Sequence, residues 1–308
     1  MLNPEKPEKT RIFHLAAVIL AMLLWSTAFA ASKKAYLTIP PLTLGAGRSL
    51  VATLGLFLVA LALGQLRLPR RQDLFLLVLS GILGVTCNFV LQNIAISLTS
   101  ASEGVMICAT FPLITVILER LVHGVGVSPG KAIGIGLAII GVAVITGLHN
   151  LGEENNWRLL GDLLLMLNGI AWTFYSFLTR RFIKVYSPIS LTFFQTAAGT
   201  IFLLPLTCLE VSQWQAPSAT AIGITIFLGL FCSVGGYLAY NFGLERLSTG
   251  TAVSLFNLMP VFGVLFAVLT LREDIDLIQL AGGVIVMVGV FLSVCGKNTP
   301  EETAEKVT

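Results

Sequence analysis

The chain has 308 residues, 56% of them hydrophobic and only 11% charged, with a formal net charge of +3. Its mean hydropathy is +0.89. An ordinary soluble domain is about 25% charged, so a soluble protein is excluded, and so small a net charge argues for no nucleic-acid partner.

A helix needs about 20 mainly apolar residues to cross a bilayer, where every backbone polar group must be satisfied within the chain. The sequence predicts ten such helices, at roughly 12–33, 42–63, 74–95, 100–121, 129–148, 158–179, 188–208, 219–242, 249–271 and 277–295. The tails 1–11 and 296–308 are polar, and residues 149–157 link two halves, 12–148 and 158–295. The first helix carries an ambiguity: basic residues, an apolar run and then Ala28-Phe29-Ala30 resemble a secretory signal with its cleavage site. That reading would remove the first copy of the repeated phrase described below and leave the second without a counterpart.

With the N-terminus in the cytoplasm, the inner segments carry fourteen Lys and Arg residues, and the outer ones four: Lys33, Lys34, Arg158 and Arg272. This bias places both ends inside. The five cysteines (Cys87, Cys108, Cys208, Cys232, Cys295) lie in apolar stretches without CxxC spacing and read as core residues, with no disulfide or metal site indicated.

The stretch LLWSTAFAASKKAY at 23–36 returns as IAWTFYSFLTRRF at 170–182. Trp25 matches Trp172, and Pro41-Leu42-Thr43-Leu44 matches Pro188-Ile189-Ser190-Leu191, 147 residues on. Gly81 and Gly229, Asn93 and Asn241, Ser100 and Ser248, Pro112 and Pro260, Gly134 and Gly282, and Gly141 and Gly289 match at an offset of 148. This is a duplication. Five helices per copy is an odd number, so the second copy enters the membrane from the opposite side. Inverted repeats of this kind suit alternating access to a site at the midplane, each half supplying one side of it.

Ten helices in two five-helix repeats, with Leu24-Trp25-Ser26-Thr27, Arg48, Pro112, Pro260, Leu271-Arg272-Glu273 and the glycines Gly282, Gly283 and Gly289, resemble the EamA branch of the drug/metabolite transporter superfamily. The resemblance implies an all-α, basket-like bundle in which helices 1, 3, 4, 6, 8 and 9 surround a central cavity, with 5 and 10 peripheral. One departure stands out: the counterpart of Glu273 in the first repeat is Val125.

Trp25 lies thirteen residues past the predicted helix start, about 20 Å along at 1.5 Å per residue. That is too deep for the aromatic belt, which suits Trp157 and Trp214. Trp25 and Trp172 read either as helix packing or as aromatic walls of a site, with Ser26, Thr27, Thr173, Tyr175 and Ser176 as polar neighbours. Asn88 and Gln92 share one face of helix 3 with Gly81 and Gly84; Gly229, Cys232, Gly236 and Tyr240 answer them in helix 8. These amides, with Asn93 and Asn241, point away from lipid, toward interhelical hydrogen bonds or toward substrate. Tyr237, Asn168 and Asn257 extend the set.

Ionisable groups within the spans are few. Arg48 either snorkels outward or pairs with Glu103 at similar depth as part of an outer gate. Glu103 also reads as the last residue of a capping box, Ser100-Ala101-Ser102-Glu103. Asp162 is the other acid away from the cytoplasmic ends. Pro112 and Pro260 are expected to kink their helices, statically or as hinges. The glycine faces of helices 5 and 10 are expected to serve packing, with a contact between two copies of the chain as a further use.

No enzyme constellation is present; GVSPGKA at 126–132 lacks the Ser or Thr that a phosphate loop carries after its lysine. No cofactor or metal is expected. The expected function is a secondary transporter in the bacterial cytoplasmic membrane, exporting small metabolites. Hydrophobic or aromatic amino acids come first, and apolar or cationic toxic compounds are the alternative. A membrane-embedded enzyme or a channel is a more distant reading. The expected partners are the solute and the lipid bilayer.

Overall fold

A computed structural model describes residues 6–124, 129–147, 156–272 and 274–295. Positions 125 and 273, compared above, and most of the linker lie outside these residues. Among the described residues all regular structure is helical, in ten segments. Eight are long and apolar enough to cross a membrane: Ile12–Ala35, Pro41–Ala62, Arg71–Leu98, Ala101–Val122, Trp157–Phe182, Pro188–Gln213, Ala219–Leu244 and Thr249–Leu271. These are segments 1 to 4 and 6 to 9. Segments 5 (Pro129–Gly147) and 10 (Leu277–Cys295) are helices of 19 residues each with shorter apolar stretches, Ala132–Gly141 and Leu280–Gly289. The chain is an integral membrane protein.

The repeat is visible in the breaks of the helices. Segment 3 widens into π-helix over Ile82–Cys87, and its counterpart, segment 8, does so over Leu228–Gly235. Segment 4 breaks after Cys108 and restarts at Phe111; segment 9 passes through a 3-10 turn, Leu255–Leu258, and restarts at Met259. Pro112 and Pro260 are therefore not mid-helix residues. Each stands in the first turn of a restarted helix, where a missing N–H costs nothing. Segments 4 and 9 also end alike, at Gly124 (φ 69°) and Arg272 (φ 55°), both left-handed caps donating to a carbonyl four residues back.

Equivalent segments run antiparallel. Along segments 2 and 7, Thr43 hydrogen bonds to Glu210, Thr53 to Thr200, and Arg67 to Ser190, one number rising as the other falls. Glu210 also caps segment 2: its carboxylate accepts from the N–H of Leu42 at 2.8 Å and of Thr43 at 2.7 Å, serving donors that the Pro40-Pro41 start leaves without a side-chain cap. Segments 5 and 10 cross through glycine. A Cβ on Gly141 would lie 2.8 Å from the Gly282 carbonyl oxygen, and one on Gly289 would lie 2.7 Å from that of Gly134. The glycine faces expected to serve packing do so, segment 5 against segment 10, because only a side chain of one hydrogen lets the two backbones approach so closely.

Ala28, Phe29 and Ala30 are buried in the bundle, with Phe29 against Gly104. The tripeptide that resembles a cleavage site works here as core.

Candidate functional site

A narrow cleft lies where the two repeats meet. Segments 1, 3, 4, 6, 8 and 9 all line it, and segment 2 adds Arg48. Glycines in segments 3 and 8 let aromatic rings into the centre: a Cβ on Gly84 would collide with the Tyr175 ring, and one on Gly236 with the Trp25 indole. Trp25 and Trp172 meet edge to face, with centroids 5.1 Å apart and 84° between planes. Tyr237 stands 5.7 Å from the first and 5.5 Å from the second; Phe256 closes the set at 5.7 and 5.9 Å. Ring edges carry positive charge and faces negative, so this spacing is attractive as well as apolar. The side chains nearly fill the cleft, which leaves room for water but not for a metabolite.

The two indoles are equivalent in the repeat but not in their hydrogen bonds. Trp25 Nε1 donates to the carbonyl of Cys232 at 2.8 Å. The equivalent acceptor for Trp172 is the carbonyl of Gly84, and the Tyr237 hydroxyl occupies it at 2.5 Å. Tyr237 corresponds to Phe89, which has no hydroxyl to compete for Cys232. Trp172 Nε1 is therefore buried without an acceptor in hydrogen-bonding geometry, although it interacts with the nearby Tyr240 hydroxyl. The Asn168 side-chain oxygen, on the same segment and in the same cleft, is also without a partner.

Of the residues singled out in the sequence, Trp25, Trp172, Asn88, Gln92, Asn168, Tyr237 and Arg48 line the cleft. Asn88 donates to the Tyr237 hydroxyl at 3.3 Å. The others are engaged between or along helices. Ser26 donates to the Met22 carbonyl, Thr27 to that of Leu24, and Thr173 to that of Gly169. Asn93 accepts from Tyr36 at 2.8 Å, and Asn241 accepts from Tyr175 at 3.1 Å while donating to Thr192 at 2.8 Å. Tyr240 and Ser176 bond to each other at 2.9 Å. Asn257 is half-buried and lies outside the cleft lining.

Arg48 neither snorkels nor meets Glu103. It is 3% exposed, turned inward, its Nε donating to Ser233 Oγ at 3.1 Å and its guanidinium 4.4 Å from the centre of the Phe89 ring. Glu103 is instead claimed by Arg158, whose Nε lies 2.7 Å from Oε2, and by the Thr99 hydroxyl, also at 2.7 Å. Half of the expected capping box forms, Ser100 Oγ accepting from the Glu103 N–H at 3.1 Å, while the Glu103 carboxylate takes Arg158 and the Thr99 hydroxyl as its partners. Asp162 is buried beside this group, facing Glu103, Thr99 and Arg158. Arg158, one helical turn before Asp162 on segment 6, reaches across to Glu103 on segment 4.

Sequence reading missed Phe29, Phe89, Phe256 and Met259, ordinary apolar letters among many. It also missed Arg158 as the partner of Glu103, and Gln195. The last had a signal: it falls 147 residues after Arg48.

The chain matches the EamA-like transporter family over residues 12–147 and 159–295. Among similar proteins, an uncharacterized transporter of Archaeoglobus fulgidus is 28% identical over 278 residues, covering 89% of this chain and 94% of that one. A probable terminal-alkyne amino-acid exporter of Streptantibioticus cattleyicolor is also 28% identical over 278 residues, covering 90% and 91%. A solved crystal structure superposes with a TM-score of 0.69 at 20% identity, covering 92% of this chain and 97% of that one, which supports the fold alone. The matched residues fall in both halves of the duplication, and the chain belongs to the EamA-like transporter family.

Proposed function

We propose that this transporter-family protein exports small amphipathic metabolites across the bacterial cytoplasmic membrane by alternating access, with apolar or aromatic amino acids as its substrates. In this reading all ten segments cross the bilayer and both ends face the cytoplasm, as the charge bias favours. The observation that carries it is the aromatic cleft lying between two antiparallel repeats, where Trp25 meets its own equivalent Trp172. A site on the pseudo-twofold axis presents similar walls to both sides when the halves exchange conformations. Aromatic faces take the apolar body of a solute, and Asn88 and Gln92 offer donors and acceptors to its polar end.

The test is transport in proteoliposomes loaded with labelled leucine, phenylalanine or tryptophan, which should leave faster with the protein than without it. Aromatic walls also attract cations, the one observation that favours efflux of cationic toxic compounds. Arg48, a fixed cation in the same cleft, opposes that reading. Movement of a quaternary ammonium dye without movement of amino acids would reverse the order.

A further inference from the structure

Arg48 is a buried charge without a counter-charge. Among the described residues no carboxylate lies within ion-pair distance of it; its polar neighbours are Ser233, Cys232, Tyr237 and Tyr36, all neutral. A guanidinium stays charged in proteins and has five N–H donors in a planar fork. Here the Nε–H is taken by Ser233 and one face by Phe89. Among the described residues no hydrogen-bond partner takes the terminal nitrogens, and Arg48 lines the cleft.

The repeat supplies an internal control. Gln195 occupies the equivalent position, is equally buried, and is fully engaged: its amide nitrogen donates to Ser80 at 3.0 Å and to Thr179 at 2.9 Å. The fold thus satisfies this position with a neutral amide in one repeat. In the other it holds a cation whose hydrogen bonds are incomplete. An unpaired buried charge is costly, and such a cost persists where a ligand supplies the missing partner. Two more incomplete groups line the same cleft, the Trp172 N–H donor and the Asn168 amide oxygen.

We infer that Arg48 anchors a carboxylate of the transported solute. This rests on the cleft being the substrate site, as proposed above, and narrows the substrate class to monocarboxylates with an apolar body, α-amino acids among them. The guanidinium fork matches a carboxylate in two parallel hydrogen bonds. The Trp172 N–H adds a donor to an oxygen acceptor, the Asn168 amide oxygen receives an ammonium group, and the rings enclose the side chain. Amines and amides without the acid group leave Arg48 unpaired and bind poorly.

The experiment is competition against labelled phenylalanine counterflow in proteoliposomes with three relatives: 3-phenylpropionate, phenethylamine and phenylalaninamide. Phenylpropionate should compete, and the two compounds without an acid should be weaker by about tenfold or more, the typical worth of a hydrogen bond to a charged group. Arg48→Gln should weaken phenylalanine by a similar factor, and Arg48→Lys by less, since the charge stays while the fork is lost. The ligand series uses the unaltered protein and decides the matter even where Arg48→Gln fails to fold. Equal competition by the acid-free compounds would overturn the anchor and leave the transport reading standing. Absence of counterflow for every compound would overturn that reading, and the anchor with it.

Discussion

The hydroxyls of Thr53 and Thr200 hydrogen bond at 3.0 Å, and the two residues are the same position of the two repeats, 147 apart. A residue that touches its own repeat equivalent must lie close to the axis relating the copies. Trp25 and Trp172 do so as well, so one axis passes through the contact of segments 2 and 7 and through the cleft. Cysteines at 53 and 200, in a background without the native cysteines, should form a disulfide or a mercury bridge that mass spectrometry detects as a 53–200 cross-link. Cross-linking of 53 to other positions on segment 7, and not to 200, would displace the axis.

Tyr237 decides which indole has an acceptor. In Tyr237→Phe the Gly84 carbonyl is released, and by repeat equivalence it should serve Trp172 Nε1 as the Cys232 carbonyl serves Trp25. With Trp25 replaced by Phe to simplify the spectrum, the indole N–H band of Trp172 in ultraviolet resonance Raman should move toward the hydrogen-bonded value. Exposed Trp157 and Trp214 serve as the fixed background. The stability change should stay near about 1 kcal/mol, because one buried hydrogen bond replaces another and only Asn88 loses its acceptor.

Glu103 is wholly buried and its charge is compensated by Arg158. Arg158→Leu should destabilise the protein by about 3–5 kcal/mol, the usual result of removing one partner of a buried pair. Adding Glu103→Leu should restore most of that, since two apolar side chains need no compensation. Thermal unfolding in detergent measures both, and additive losses would show that the pair is not coupled.

The contact of segments 5 and 10 should not tolerate a methyl group. Gly141→Ala and Gly289→Ala each push a Cβ against opposing backbone and should cost about 1–3 kcal/mol. Gly136→Ala meets nothing within 4 Å and should be neutral or slightly stabilising. A ranking of the three melting temperatures in any other order would contradict the antiparallel crossing.

Arg272 holds a left-handed conformation (φ 55°) where its equivalent is Gly124. Arg272→Gly relieves the Cβ clash that L residues meet there and should stabilise the end of segment 9 by about 1 kcal/mol. Slower proteolysis near that end and a raised melting temperature are the readouts.

Hydropathy alone located the helical segments, eight of which among the described residues are long and apolar enough to cross a membrane, because a bilayer demands apolar runs of fixed length whatever the neighbours. The duplication predicted two like halves, which the matching π-helical stretches Ile82–Cys87 and Leu228–Gly235 display. Equivalence also paired Trp25 with Trp172 and set Gly134 and Gly141 against Gly282 and Gly289. Which donors are satisfied was beyond the sequence. Trp25 and Trp172 are the same letter in the same phrase, yet only Trp25 has a carbonyl acceptor, because Tyr237 takes the Gly84 carbonyl that Trp172 would use. Arg48 and Glu103 looked like a pair from depth alone, but Arg158 holds the acid while Arg48 faces the cleft. Spans follow from the solvent acting on each stretch separately; hydrogen bonds and charge compensation follow from which side chains meet across the bundle, and only the packed structure decides that.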